Sequence, residues 1–413
     1  MMISNRNKIR KYMISFIFVA VLIVPLWSNS VFSPQGLPLK YYGNDVYSLG
    51  MGESGIADVF RVNTGYFNPS LPVTSTNVTF STALSMGYMW YKDADNNRFR
   101  DDGIFFPYFS FSIPLSNHYI GFNFNSYASG NLENQKEDVL TIGDDELSYT
   151  EKNRIRSNIF KGDIVYAFKN DILNLGLSLN YYFGHRTRRW EIEFDDNLIA
   201  DARYEMERRF KNPGITIGAN KRFGSTAVAA LYSSPIELEG ETIRWFNHYP
   251  GADTLETKSV QFEVPTMIAG GITHRFTDYY KASFDLYYEL WEQTETYDNN
   301  SFKAAFGLAY DPAETQSVWW KSIPMRVGTY YRQLPFEKND AGIDEIALSW
   351  GTSIPLQSPN KRIDFAVTYL TRGNTNDHGL SDSSLMFTFG VTGFDIFSKR
   401  TRRTGHRDIP EAD

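Results

Sequence analysis

From residue 77 onward the chain alternates apolar and polar side chains with a period of two, the signature of strands with one wet and one greasy face. In "ILNLGLSLNYY", Leu173, Leu175, Leu177, Leu179 and Tyr181 share one face, and Asn174, Gly176, Ser178 and Asn180 the other. "KASFDLYYELW" sets Ala282, Phe284, Leu286, Tyr288 and Leu290 against Ser283, Asp285, Tyr287 and Glu289. "SLMFTFGV" sets Leu385, Phe387, Phe389 and Val391 against Met386, Thr388 and Gly390. Fourteen such segments are legible: 77–91, 104–114, 119–129, 155–168, 172–186, 213–223, 225–235, 266–276, 280–292, 302–312, 323–332, 345–355, 362–372 and 384–394.

The connections alternate as well. After odd-numbered segments they are long (92–103, 130–154, 187–212, 236–265, 293–301, 333–344, 373–383), and after even-numbered ones mostly tight, as at 115–118, 169–171, 224 and 277–279. An even number of spans of about ten residues, short turns at one end and long loops at the other, describes a transmembrane barrel with its tight turns in the periplasm. The expected fold is therefore all-β, a 14-stranded antiparallel transmembrane β-barrel. Polar residues and glycines on its second face imply a wet or plugged interior. A barrel of fourteen strands encloses more space than its own side chains fill. The stretch before the first strand, rich in Gly, Asn and Pro, is the expected plug.

Composition agrees with this picture. Aromatic residues make up 16% of the chain while its mean hydropathy stays polar at −0.37. Arg6, Lys8, Arg10 and Lys11 precede the apolar run Met13–Trp27 and the small polar residues Ser28–Ser30, the layout of a secretory leader cleaved near Ser30. That leader carries four basic and no acidic residues, so its removal takes the net charge from −7 to −11. The sign disfavours nucleic-acid binding. The chain has no cysteine, which excludes both disulfides and an N-terminal lipid on cysteine. The expected organisation is a leader at 1–30, a plug at 31–76, a barrel at 77–397 closing near Phe397, and a periplasmic tail at 398–413.

Within the plug, "YSLGMGESGIADVFRVNTGYFNPS" contains Gly50-x-Gly52-x-x-Gly55, the letters of a dinucleotide-binding loop. No buried strand precedes it and no βαβ unit follows, so the glycines are read as turn formers. The same stretch resembles the N-terminal segment of the FadL/OmpP1/TodX family of outer-membrane transporters, with PorV-like barrels of a secretion machine as relatives. The matching residues are Gly50, Met51, Gly52, Gly55, Ala57, Asn68 and Pro69, with Ser70 where the family usually has Ala. The resemblance implies a fourteen-stranded barrel with an N-terminal hatch, and gating by Gly50, Gly52, Gly55, Asn68, Pro69 and Ser70. It implies passive uptake of small hydrophobic compounds, long-chain fatty acids or aromatic hydrocarbons, without catalysis or cofactor, through a lateral gap at a kinked third strand. Gly121 and Gly130 are available for that bend. The expected partners are outer-membrane lipid, a hydrophobic ligand and, during biogenesis, the barrel assembly machinery. The alternative is a structural or secretion-associated barrel that binds a secreted protein through its long loops.

Other constellations carry less. Asp93, Asp95 and Asn97 have calcium-loop spacing, but Arg98 stands where glycine is needed and Ile104 where glutamate is. The six histidines, His118, His185, His248, His274, His378 and His406, show no ligand spacing, so no metal site is expected. Glu191, Glu193, Asp195 and Asp196 lie beside Arg186, Arg188 and Arg189, which reads as salt bridging within a loop.

Overall fold

The computed structural model describes residues 30, 32, 39–42, 45–65, 67–142, 145–196, 199–246, 253–312, 319–356 and 358–393. The leader up to residue 29, Phe397 and the tail at 398–413 lie outside them.

A two-residue strand, β1 (Leu39–Lys40), precedes the wall. The wall begins with β2 (Thr79–Asp93), β3 (Arg98–Phe105), β4 (Tyr108–Leu115), β5 (His118–Ile142), β6 (Asp145–Phe168) and β7 (Asn174–Phe194). It continues through β8 (Ala202–Phe223), β9 (Thr226–Ser233), β10 (Ile236–Phe246), β11 (Asp253–Val264) and β12 (Met267–Arg275). It ends with β13 (Tyr280–Glu289), β14 (Ser301–Tyr310), β15 (Met325–Lys338), β16 (Ala341–Leu356), β17 (Ser358–Arg372) and β18 (Leu380–Thr392). Three staves are split in two where a proline removes a ladder donor: β3 from β4 at Pro107, β9 from β10 at Pro235, and β11 from β12 at Pro265. Counting each split stave once leaves fourteen, matching the sequence segments in number and order. All pairings are antiparallel, and β18 pairs back onto β2 from Leu380↔Asp93 to Thr392↔Ser81, closing the wall.

Closure removes the sheet edges that an apolar membrane could not satisfy. The two faces then part by chemistry. Ile164, Leu175, Leu179, Ile217, Phe284 and Leu348 point outward and stay exposed, with Leu179 at 54% and Leu348 at 61%. Ser178, Asn180, Ser283, Asp285 and Glu289 point inward and are buried. Exposed aliphatic side chains repeated on stave after stave form a belt suited to lipid.

Residues 130–154, 187–212 and 236–265 are not loops as the hydropathy pattern suggested. Most of their described residues are extensions of β5, β6, β7, β8, β10 and β11, running beyond the lipid belt as one antiparallel sheet. Both faces there are polar, so alternation of hydrophobicity vanishes while alternation of the backbone persists. Cross-strand charge pairs support the register instead. Arg154 meets Glu133 at 2.6 Å, Lys152 meets Glu193 at 2.6 Å and Arg189 meets Glu205 at 2.8 Å. The hydrogen bond from Arg154 holds the Glu133 carboxyl below its ordinary range.

One seam of the wall is incomplete. β4 pairs with β5 only from Tyr108↔Asn125 to Leu115↔His118. Beyond Pro107, β3 pairs with β2 alone, and β5 from Gly130 onward pairs with β6 alone. The β5–β6 register shifts between Ser126 and Ala128, which leaves Tyr127 as an extra residue that bends the strand. β1 sits at this seam from the inside, pairing Leu39↔Ser129 and Lys40↔Ala128, and the Tyr41 amide donates to the Tyr127 carbonyl at 2.8 Å.

Candidate functional site

The segment from Asp45 to Ser75 folds against the inward faces of the staves. A single turn of helix, α1 (Val46–Leu49), starts where the Asp45 side chain accepts the Ser48 amide at 2.9 Å. Gly52 and Gly55 follow with φ of 65° and 131°, a backbone that side chains disfavour. Space is equally restrictive. A Cβ on Gly50 would lie 2.9 Å from the Gly351 Cα, and one on Gly52 would run into the backbone of Gly328 and Thr329.

The wall answers with glycines of its own. A Cβ on Gly307 or Gly328 would strike the Met51 backbone, and a Cβ on Gly176 would strike the Pro69 backbone. These lumen-facing glycines let two backbones touch without intervening side chains. Asn68, Pro69 and Ser70 seat against this surface. The Asn68 amide donates to the Ile56 carbonyl at 2.9 Å, and its oxygen accepts from the Ser70 amide at 3.0 Å. Asn220 of β8 then donates to both the Ser70 carbonyl and its hydroxyl at 2.8 Å.

Buried charges fasten the rest. Asp285 of β13 accepts the amides of Gly55 and Ile56 at 2.6 and 2.9 Å. Lys281 meets Asp58 at 2.9 Å, Lys303 pairs with Glu53, and Lys40 pairs with Glu289. Arg61 links Asp58 to Asp45, at 3.0 Å on the Asp58 side. The Tyr47 ring receives the guanidinium of Arg326 at 4.1 Å, and its hydroxyl bonds Asp311. Removing one partner from such a pair strands the other in a dry interior, at a cost of about 3–5 kcal/mol.

Beside the open seam lies a cavity of about 90 Å³. Phe105, Pro107 and Ser126 mark its seam side, Met89, Leu370 and Met386 its apolar lining, and Arg332 and Glu345 its polar lining. That space holds a few waters or a small ring, not an extended acyl chain.

Several expectations meet the structure here. Gly50, Gly52, Gly55, Asn68, Pro69 and Ser70 come together at the seam between leading segment and wall. Gly121 and Gly130 both pair in regular register, with Val165 and Ser157, and the irregularity falls between them at Tyr127. Asp93 accepts from both the amide and the side chain of Asn97 at 2.8 Å within a tight turn. The acid–base run at 186–196 divides by face. Arg189 reaches Glu205 and Glu191, whereas Arg186 and Arg188 turn to the inner face and join no ion pair among the described residues. The wall partners Asp285, Lys281, Lys303 and Asn220 escaped the sequence reading. Their one trace is the presence of charge and amide at lumen positions of otherwise amphipathic strands.

These features define a class: a closed fourteen-stave β-barrel with a lipid-facing belt and a lumen occupied by its own leading segment. Solved structures resemble its fold over most of their length. A FadL homologue from Pseudomonas aeruginosa matches with a TM-score of 0.60 at 12% identity, covering 87% of this chain and 100% of the other. The Ralstonia pickettii toluene transporter TbuX gives 0.58 at 14% identity, covering 85% and 98%. The Pseudomonas putida toluene transporter TodX gives 0.57 at 13%, covering 86% and 99%. No curated protein matches the sequence. The chain itself belongs to the BamG family, whose model matches residues 8–392.

Proposed function

We propose that this protein is a non-conducting outer-membrane barrel that works by binding other proteins, in the setting of the barrel assembly machinery to which the BamG family name points. The observation that carries this reading is the ion-paired seam between the leading segment and the wall. Lys40–Glu289, Glu53–Lys303 and Asp58–Lys281 join that segment to two adjacent staves, and Asp285 clamps its amides from one of them. A hydrophobic solute needs an unbroken apolar path, and this lumen interposes layers of buried charge. The tall sheet formed by β5–β8, β10 and β11 gives a partner a rigid platform outside the lipid belt. Both termini and the tight turns then face the periplasm. Purification of the tagged full chain from native membranes in mild detergent tests the reading. Stoichiometric recovery of assembly-machinery subunits, lost when residues 133–152 are replaced by a short turn, is expected. A reproducibly solitary barrel overturns it.

A second reading rests on the open seam between β3 and β5 and the cavity behind it. The apolar lining by Met89, Phe105, Leu370 and Met386 fits a small aromatic ring entering sideways from the membrane. Uptake of a monoaromatic hydrocarbon, abolished by filling the cavity with Ser85→Trp, supports this reading. Unchanged uptake in a deletion strain removes it.

A further inference from the structure

On the inner face of the extended sheet, beyond the lipid belt, three arginines gather with no acid opposite them, and a fourth, Arg244 of β10, stands opposite Asp253 of β11. Arg186 of β7 stands directly opposite Arg208 of β8 in a ladder that has no register shift at this point. Like charges in that position, with Cβ atoms about 5 Å apart, repel. The next inward row places Arg188 against Met206, and Met206 against Arg244 of β10. None of the four forms an ion pair among the described residues. The Nε atoms of Arg208 and Arg244 are buried with no hydrogen-bond acceptor. Near Arg186 stands Tyr297, itself 7% exposed, whose buried hydroxyl is also without a partner.

The acids of these strands are spent elsewhere. On the outer face Glu205 and Glu191 hold Arg189 and Arg203, and Glu207 holds Arg209. On the inner face Glu151 is engaged by Asn153 and Trp190, and Asp138 by Lys136. Guanidinium cannot escape by losing its proton at neutral pH, so the half-buried pair Arg186 and Arg208, with Arg188 exposed at its rim, calls for an anion. Burial, reinforced by Arg208 and Arg188, already pulls Arg186 below its ordinary range. Toward the lipid belt on the same strands the inner face closes into a packed apolar cluster of Ile159, Tyr182, Phe210, Leu238 and Trp291.

We propose that Arg186 and Arg208, with Arg188 at the exposed rim, form a binding site for a phosphate-type oxyanion, with the Tyr297 hydroxyl as a further donor. Tetrahedral oxyanions offer the several acceptor oxygens that forked guanidinium donors match. The source is either free phosphate or the phosphorylated headgroup of a glycolipid. The site stands independently of the partner-binding reading above.

The test uses the full chain in detergent, prepared once by extraction from native membranes and once by refolding. Refolded wild type is expected to gain thermal stability with inorganic phosphate. The double variant Arg186→Gln/Arg208→Gln is expected to bind phosphate roughly ten- to hundredfold more weakly. Without phosphate that variant melts at or above the wild-type temperature, because a repulsion has been removed, so misfolding cannot imitate the result. Arg209→Gln, on the outer face, leaves phosphate binding unchanged. Mass spectrometry of the native extract separates the sources: a stoichiometric phosphorylated glycolipid, displaced in the double variant, assigns the lipid, and its absence with retained phosphate binding assigns the free anion. The proposal is overturned if refolded wild type ignores phosphate up to about 10 mM and the native extract carries no phosphorylated lipid. It is equally overturned if the double variant binds as wild type does.

Discussion

Asp285→Ala isolates the strongest directional link between leading segment and wall. The carboxylate accepts two amides, from Gly55 at 2.6 Å and Ile56 at 2.9 Å. A hydrogen bond to a charged group contributes about 1.5–3 kcal/mol, so the pair is worth about 3–6 kcal/mol. Lys281 keeps Asp58 and Lys303 keeps Glu53, so the substitution strands no cation. Water entering the vacated space recovers part of the loss, which sets the expected penalty near the lower end, about 3 kcal/mol. Local opening of the Gly52–Phe60 stretch should then rise roughly 100-fold. Hydrogen exchange followed by mass spectrometry reads this opening on peptides spanning those residues. Asp285→Asn keeps an acceptor but not the charge, and should give roughly a tenfold rise. Peptides from β13 itself should exchange as in wild type, because the ladder bonds of that stave do not involve the carboxylate. A change under about threefold in the alanine variant, or an equal change across the wall peptides, would refute the anchoring argument.

Three further outcomes follow from the same geometry. Gly328→Val drives side-chain atoms into the Met51 and Gly52 backbone, and should displace the leading segment, read as protease cleavage within residues 45–65 of an otherwise intact barrel. Asn220→Ala removes the amide that makes both hydrogen bonds to Ser70 and should cost about 1–3 kcal/mol in reversible unfolding from lipid vesicles. Leu179→Lys places a charge in the lipid belt on a side chain 54% exposed, and should cost about 2–4 kcal/mol by the same assay, whereas lysine at the polar Glu207 of the extension should cost far less.

The wall was legible because lipid outside and polar lumen inside force a hydropathy period of two on every stave, as in Leu175–Tyr181 and Phe284–Tyr288. That signal ends where lipid ends. The extensions of β5 to β8 carry charge on both faces, so their strand character lies in pairs such as Arg154–Glu133 that only the three-dimensional register discloses. The same limit explains the arginines. Period two assigns Arg186 and Arg188 to one face and Arg189 to the other, but which face holds the acids depends on β8, some twenty residues on. The glycines of the leading segment were visible as turn formers, and Gly52 and Gly55 do hold positive φ. Their partners Gly307 and Gly328 were not, since a glycine in a strand records close approach without saying what approaches. Gly121 and Gly130 show the converse, regular pairing where a bend was expected, because one inserted residue at Tyr127 bends the strand instead.

The central claim is that the leading segment stops the bore of a closed barrel, and single-channel recording in planar bilayers tests it most directly. Wild-type protein should show no steady conductance, and deletion of residues 45–75 should open a large, stable one. Steady conductance in the wild type, or a deletion that folds and inserts yet stays silent, would contradict it.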